Sequence, residues 1–504
     1  MDGPGRVALA AALACSVGAT TACDKLLEVD LPTAVTDDAL DDPRVARVRV
    51  NSVMALVECA YSSLAIDAAG FEDNFQRYSG VAGLYSEYRD TPGGGNCDTD
   101  AYSSEWIDSF LTARAQGYDT YAALDASSDA DVPNRQRLMA TVAFYVAVTL
   151  GVVGEYLCEF AVDAGPMLTA SQTLDLAEAW VDSTLSRITA TGGDFALVVE
   201  QGTIAASLQD AAYALRARIR YANGDLTGAA SDAAQVGDGF MAWVLREDGE
   251  KRRNMVSSMQ GGGGGTQAAG FLQGPIALKT EANDYGVSRL GSHPVTSAPW
   301  PDPVPFTGYL NLAIVDLTGR AVHDDGYPIT TATSGASADT RVEHVIGNTA
   351  GGPDNIIQKY RNLSDDIPLL NWREMRLIQA EAAGASSAGV DFVNEIRSAD
   401  QLPDIAGTYR TLIEGDADAF DDMLIEERRR ALWLEARFWS TKIIKNEKLW
   451  FPRRQGEWVN AAASYSLNGG VRLLMPGDEY QINTNLDLGM RGTGCAAGER
   501  PVFN

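Results

Sequence analysis

Histidine, basic charge and paired cysteine motifs are all scarce in this sequence, and each shortage excludes something. The three histidines, His293, His323 and His344, are too scattered to form a metal-binding motif. No C-x-x-C pair is present, so a zinc knuckle is not expected. Forty Lys and Arg stand against 68 Asp and Glu, a net charge of -28. That leaves no basic patch for nucleic acid. The acidity gives a strongly hydrated surface and identifies no ligand. A G-x-S-x-G nucleophile elbow is lacking. The pentaglycine Gly261 to Gly265 lacks the Gly-Lys-Ser/Thr of a phosphate loop. No two of the many carboxylates stand out as a pair for glycoside hydrolysis. An enzyme is therefore not expected, nor is any cofactor or metal. Past the N-terminus, no stretch reads as apolar enough to cross a bilayer.

What is present begins with an export signal. Arg6 precedes an apolar run, Val7 to Ala19, about half the roughly 20 residues a membrane span needs. Its length and single flanking charge fit a signal-peptide core. It ends in Thr20-Thr21-Ala22-Cys23, a small residue before Cys, as lipoprotein signal peptidase requires. Cys23 is the expected lipidation site, with residues 1–22 removed. Ordinary secretion, with cleavage near Ala19 or Ala22, is the alternative. Four cysteines then remain: Cys59, Cys97, Cys158 and Cys495. An even count in an oxidising compartment points to two disulfides, and sequence alone allows three pairings. The pairing expected is Cys59 with Cys158, on helices read as neighbours, and Cys97 with Cys495.

Residues 23–43 read as an anchor and extended polar leader, with Pro32, Pro43 and several Asp. A single domain over 44–504 is expected to follow. Its first helix runs from Arg44 to about Ile66, with Val48, Val53, Leu56, Val57 and Tyr61 on one face. Residues 71–104 are rich in Gly and Pro and read as loop. From Trp106 the chain reads helix after helix to about Ala234. Arg135 to Cys158 forms one long apolar pattern, and Thr169 opens the next helix. Leu208 to Tyr221, the turn Asn223-Gly224-Asp225 and Ala229 to Ala234 resemble a tetratricopeptide hairpin. Residues 247–368 lose the pattern, with five prolines surrounding Trp300. It returns at Leu369 with Trp372, Met375, Ile378 and Ala382 on one stripe. Phe392, Val393 and Ile396 follow, and then a long helix from about Asp421 to Ile444. Its run Glu426-Glu427-Arg428-Arg429-Arg430 offers Glu426/Arg430 at i,i+4 and reads mostly as a solvated face.

These segments together resemble the SusD/RagB outer-membrane nutrient-uptake family. Glu426 to Trp439 is similar to the family's E-R-R-x-E-L-x-F-E-G-x-R-W helix. Arg373 to Ala382 resembles its R-x-A-E-V-x-L-x-Y-A-E-A helix, and Phe392 to Pro403 its L-N-x-I-R-x-R-A-G-L-P segment. Asp339-Thr340-Arg341 stands where the family has D-P-R. Leu474 to Tyr480 resembles its I-P-x-x-E element, with Asn483 and Asn485 after it. The start Cys23-Asp24-Lys25-Leu26-Leu27-Glu28-Val29 resembles the family's mature N-terminus. Ala431 replaces the usual acidic residue, Ala436 the usual Gly, and Thr441-Lys442 the usual Asp-Leu.

The resemblance implies a mainly α fold. A tetratricopeptide-like helix-pair scaffold, about 106–246 and 369–450, would carry a loop-rich, short-strand ligand face built from about 71–104 and 247–368. It implies a non-catalytic lipoprotein at the cell surface of the outer membrane. That protein captures oligosaccharides, or peptides, and passes them to a SusC-like TonB-dependent transporter. Sugars stack their C–H faces on aromatic rings and need fixed donors and acceptors for their hydroxyls. The two irregular regions supply Tyr85, Tyr88, Arg89 and Asn96, and then Tyr285, Trp300 and Tyr309, as ligand-binding candidates. A periplasmic tetratricopeptide scaffold that binds only proteins is the main rival. It predicts short loops between repeats, unlike the insertion at 247–368.

Overall fold

The computed structural model of the chain describes residues 42–71, 76–78, 106–249, 252–260, 267–269, 341, 344–349, 352–445 and 472–495. Its first three helices are α1 (Ala46–Phe71), α2 (Trp106–Ala126) and α3 (Arg135–Tyr156). The fold is organised around α3. From Met139 to Tyr156 every residue is buried, so this helix has no solvent face. A helix apolar on all sides must be covered on all sides. α1, α2 and two later helices, α4 (Ala170–Ala190) and α5 (Leu208–Ala222), cover it. Contrary to the sequence expectation, α3 is long and apolar enough to cross a membrane by length and composition. Its apolar surface is instead spent on neighbouring helices. Two glycines set how close those neighbours come. Gly117 of α2 lies directly against Val146, and a Cβ at Gly154 would stand 2.8 Å from Leu174 of α4.

α1 turns most of the expected stripe inward, with Leu56 packed against the core and Val48 as the exception. Val48 is 65% exposed, while Val50, Val53, Val57, Tyr61 and Leu64 are buried. α4 starts on a capping box: the Thr169 hydroxyl accepts from the Gln172 N–H, and the Gln172 side chain accepts from the Thr169 N–H. α5 and α6 (Leu226–Ala233) form the expected hairpin. Ala211, Ala214, Ala217, Ala229 and Ala233 are buried there. Gly224 makes the turn at φ 85°, a conformation that suits Gly. A second hairpin, α8 (Trp372–Ala383) and α9 (Ser387–Ala399), packs on the first through α8. Ala382 faces solvent rather than joining the buried stripe. Between the hairpins lies α7 (Met255–Gln260), and beyond them α10 (Gly407–Gly415), α11 (Ala417–Ala431), α12 (Phe438–Ile444) and α13 (Glu479–Ile482). The long C-terminal helix expected from about 421 to 444 is thus two helices. They are separated at Leu432–Arg437, where Leu434 (φ 60°) and Ala436 (φ 58°) are left-handed.

The strands are short. β1 (Gln76–Tyr78) pairs β7 (Gln267–Ala269), β2 (Glu159–Ala161) pairs β3 (Met167–Thr169), and β8 (His344–Thr349) pairs β9 (Gly352–Ile357). The largest sheet is antiparallel and joins β4 (Leu197–Val199), β5 (Gly202–Ala205), β6 (Met241–Val244) and β10 (Ile367–Asn371) in the order β10-β6-β5-β4. β10, the sequence's return to pattern at Leu369, is a strand that leads into α8.

The disulfides differ from the expected pairing. Cys158 is joined to Cys495, with Cα atoms 4.4 Å apart. Neither Cys59–Cys158 nor Cys97–Cys495 can then form. Cys158 lies beyond the end of α3 rather than on it. There the Cys158 N–H donates to the Leu473 carbonyl (2.8 Å), and the Leu473 N–H donates to the Tyr156 carbonyl (2.7 Å). The buried Glu159 carboxylate then accepts from the N–H groups of Gly492 (2.6 Å) and Gly494 (3.1 Å). The C-terminal segment is therefore laced to Cys158 before Cys59 enters the geometry. Cys59 is also disulfide-bonded, and its partner lies outside the described residues.

Candidate functional site

The charges of the C-terminal helix pair are buried, not solvated. Glu427 is 0% exposed, and Arg428, Arg429 and Arg430 are at most 2%. Sequence spacing along one helix cannot reveal why. Their partners come from elsewhere. Glu427 accepts from Arg397 (2.7 Å) on α9 and from Arg341 (2.7 Å). Arg428 donates to Glu381 (2.8 Å) of α8, beside the Tyr221 ring. Arg437 bridges Glu155 (2.7 Å), near the end of α3, and Glu374 (3.0 Å) of α8, while Arg218 of α5 also holds Glu374 (2.6 Å). Burial alone would push the Glu374 carboxyl up. The guanidinium groups of Arg218 and Arg437 outweigh it and hold the pKa at about 2. The side chain of Glu426, expected to pair with Arg430, is outside the described residues.

On the edge of this charge lattice lies a cavity of about 580 Å³. Its back wall is the outer face of the β6–β10 pair. β6 alternates: Ala242 and Val244 are buried, while Met241 and Trp243 are half-buried and line the cavity. Across the ladder Trp243 faces Pro368 and Met241 faces Asn371. Lys359 donates to Glu435 (2.7 Å), which also accepts from Asn371 (3.1 Å). Asn371 caps α8 by accepting from the Arg373 N–H (3.0 Å). Arg373 in turn pairs with Asp400 and stacks over Trp372. Asp365 and Asp366 complete the rim, accepting from the N–H groups of Asn362 (2.8 Å) and Arg246 (2.6 Å). Ala431, where the resembling family has an acidic residue, is also on the wall.

A second cavity, about 550 Å³, lies between α1 and the β4–β5 turn. Its floor is Glu58, which accepts from Tyr145 (3.3 Å) and Arg252 (3.4 Å). Burial pushes the Glu58 carboxyl up, against Arg246 and Arg252. Among the described residues no aromatic lines it.

None of the ligand residues expected from sequence can be placed. Tyr85, Tyr88, Arg89, Asn96, Tyr285, Trp300 and Tyr309 lie outside the described residues, as does Cys23. Arg341, Arg373, Arg430 and Ala431 fall in the family-like segments, though not as ligand candidates, while Met241 and Trp243 fall in none. The signal was there in Met241-Ala242-Trp243-Val244, whose alternation marks a strand with two residues facing out. It falls at the end of 106–246, a stretch that reads as helical scaffold. Among the described residues no group of three His, Cys, Asp or Glu is placed to hold a metal ion.

Helix hairpins stacked on a central buried helix, with a small sheet and irregular segments beside them, define a tetratricopeptide-like scaffold. Solved structures share this arrangement. A SusD-like protein from Bacteroides fragilis superposes with a TM-score of 0.52 at 14% identity, covering 90% of this chain and 98% of its own. A SusD-like carbohydrate-binding protein from the same species gives 0.52 at 12% identity, covering 86% and 98%. The chain has the SusD-like fold, as the sequence resemblance implied. No protein-family model matches the chain, and no curated protein matches it.

Proposed function

We propose that this chain is a surface capture protein of the SusD kind. It binds oligosaccharides, or peptides as some relatives of that family do, and delivers them to a SusC-like TonB-dependent transporter in the outer membrane. Lipid on Cys23 holds it at the cell surface. The observation that carries this reading is the SusD-like fold, shared along almost the whole length of a carbohydrate-binding protein. The apolar run ending at Cys23 and the polar leader after it support the anchor. The reading assigns binding, not catalysis. In keeping with that, the carboxylates of the charge lattice are committed to Arg and Lys partners.

The experiment is membrane fractionation and affinity isolation of the full chain. Wild type should sediment with outer membranes and co-purify with a large β-barrel protein. Cys23→Ala should move to the soluble fraction, because lipid supplies the membrane affinity. A Cys23→Ala protein that stays bound after a high-salt wash removes the lipid anchor. A wild type that co-purifies with no barrel removes the transporter.

A further inference from the structure

Resting on the capture reading, we infer that the cavity on the outer face of β6 and β10 is a subsite for a short stretch of neutral oligosaccharide, with Trp243 as its stacking face.

Three observations lead there. The first is the wall. Met241, Trp243 and Pro368 make an apolar patch on the outward side of an antiparallel pair. Trp243 is half-buried, fixed by the strand yet open on the cavity side. A ring held this way meets the C–H face of a pyranose at little entropic cost, because its rotamer is already set. The cavity volume falls in the range of small-ligand pockets, roughly 300–1,000 Å³.

The second observation is the charge of the rim. Arg341, Lys359, Arg373 and Arg430 face Asp365, Asp366, Asp400 and Glu435, four cations against four anions. Arg341 is committed to Glu427, Lys359 to Glu435 and Arg373 to Asp400. Arg430 is engaged as well. An acidic sugar would bring a charge that no cation among the described rim residues is free to balance. A neutral one needs only hydrogen bonds. The Asp366 carboxylate, which accepts from the Arg246 N–H, keeps lone pairs for sugar hydroxyls.

The third observation argues against a peptide. Peptides commonly bind by adding a strand to a free sheet edge. β10 is the last strand of its sheet, yet it is buried along its whole length. The cavity presents side chains, not an open ladder.

The test is calorimetric titration of the full mature chain with defined probes. The neutral set is laminarihexaose, xyloglucan heptasaccharide, maltoheptaose and mannohexaose; the acidic set is oligogalacturonate and a heparin hexasaccharide. Wild type should bind at least one neutral probe and no acidic one. Trp243→Ala should weaken that binding about tenfold or more, the scale of one lost aromatic anchor. Trp243→Phe, which keeps a ring, should retain most of it. Should Trp243→Ala fail to fold by circular dichroism, Met241→Arg fills the cavity from its wall and must abolish binding in its place. Neutral binding that survives both Trp243→Ala and Met241→Arg overturns the subsite while the capture reading stands. Tighter binding of an acidic probe overturns the neutral class. Binding of no glycan in either set overturns oligosaccharide capture itself.

Discussion

At the scale of single residues, Ala436 is the most exposed to test. It is fully buried and left-handed, at φ 58°. An L side chain there costs about 1–2 kcal/mol through the clash of Cβ with the backbone. The resembling family has Gly at this position, and the backbone explains the preference. The conformation is kept because it turns the chain between α11 and α12, and the Ala436 carbonyl accepts from the buried Tyr156 hydroxyl. Ala436→Gly relieves the clash and gives up one methyl and some unfolded-state entropy. The net expectation is stabilisation by about 0.5 kcal/mol, against a loss of about 1 kcal/mol for Ala→Gly in a helix interior. Chemical denaturation of the two proteins decides it, and a loss of stability above 0.5 kcal/mol would sink the strain argument. The neighbouring charges show where sequence reading fails at this scale. Glu427 to Arg430 looks like a solvated helix face because a one-dimensional pattern shows only neighbours. The partners Arg341, Arg397 and Glu381 are 30 or more residues away in sequence and leave no local mark.

At the scale of elements, the helices were legible and the strands were not. α3, α5 and α8 announce themselves by apolar spacing, Gly224 announces the end of α5, and the Thr169 cap announces the start of α4. β6 is four residues long and sits next to a helical repeat, so its period of two has too few turns to stand out. The sequence of 71–104 and 247–368 carries no periodicity at all, so candidates there such as Tyr85 and Trp300 rest on composition. The C-terminal segment was legible as a family element, but not its docking site. Its latch is the Cys158–Cys495 bond together with Glu159, which accepts from Tyr480, Gly492 and Gly494. Closing a loop of 337 residues is worth about 5 to 6 kcal/mol in the chain-entropy model. With Cys158 and Cys495 joined, and with Cys15 lost and Cys23 lipidated as proposed, Cys97 is the expected partner of Cys59. Non-reducing peptide mapping should return Cys158–Cys495 and Cys59–Cys97. A peptide joining Cys59 to Cys158 would refute both.

At the scale of the whole molecule, the buried lattice sets the response to acid. The Glu374 pKa is about 2 in the folded protein against an ordinary 4.5, and that of Glu381 is also lowered: burial raises it, but Arg428 and Lys445 outweigh that. A depressed carboxyl stabilises the fold above its unfolded pKa and loses that contribution as pH falls through the folded one. For Glu374 the loss is on the order of 3 kcal/mol, spread between pH 4.5 and about 2. Glu58 acts in the opposite sense, since its carboxyl is raised by burial, and offsets part of this. The melting temperature should fall steeply below pH 4.5. Glu374→Gln should flatten that fall while lowering stability at neutral pH, because Arg218 and Arg437 lose their shared counter-charge. Thermal scans across pH read both, and a wild-type melting temperature that holds constant down to pH 3 would exclude the lattice as the acid-sensitive part.

The Cys158–Cys495 bond also imposes an order on manufacture. Ribosomes deliver Cys59 and Cys158 early and Cys495 a further 337 residues later. At about 5–20 residues per second, that interval is roughly 15 to 70 s. Throughout it Cys158 is a thiol without its proper mate, while Cys59 is already on hand. The covalent closure of the fold therefore waits on the far end of the chain: a chain interrupted before Cys495 leaves the Cys158 thiol, just past the central helix, without its partner.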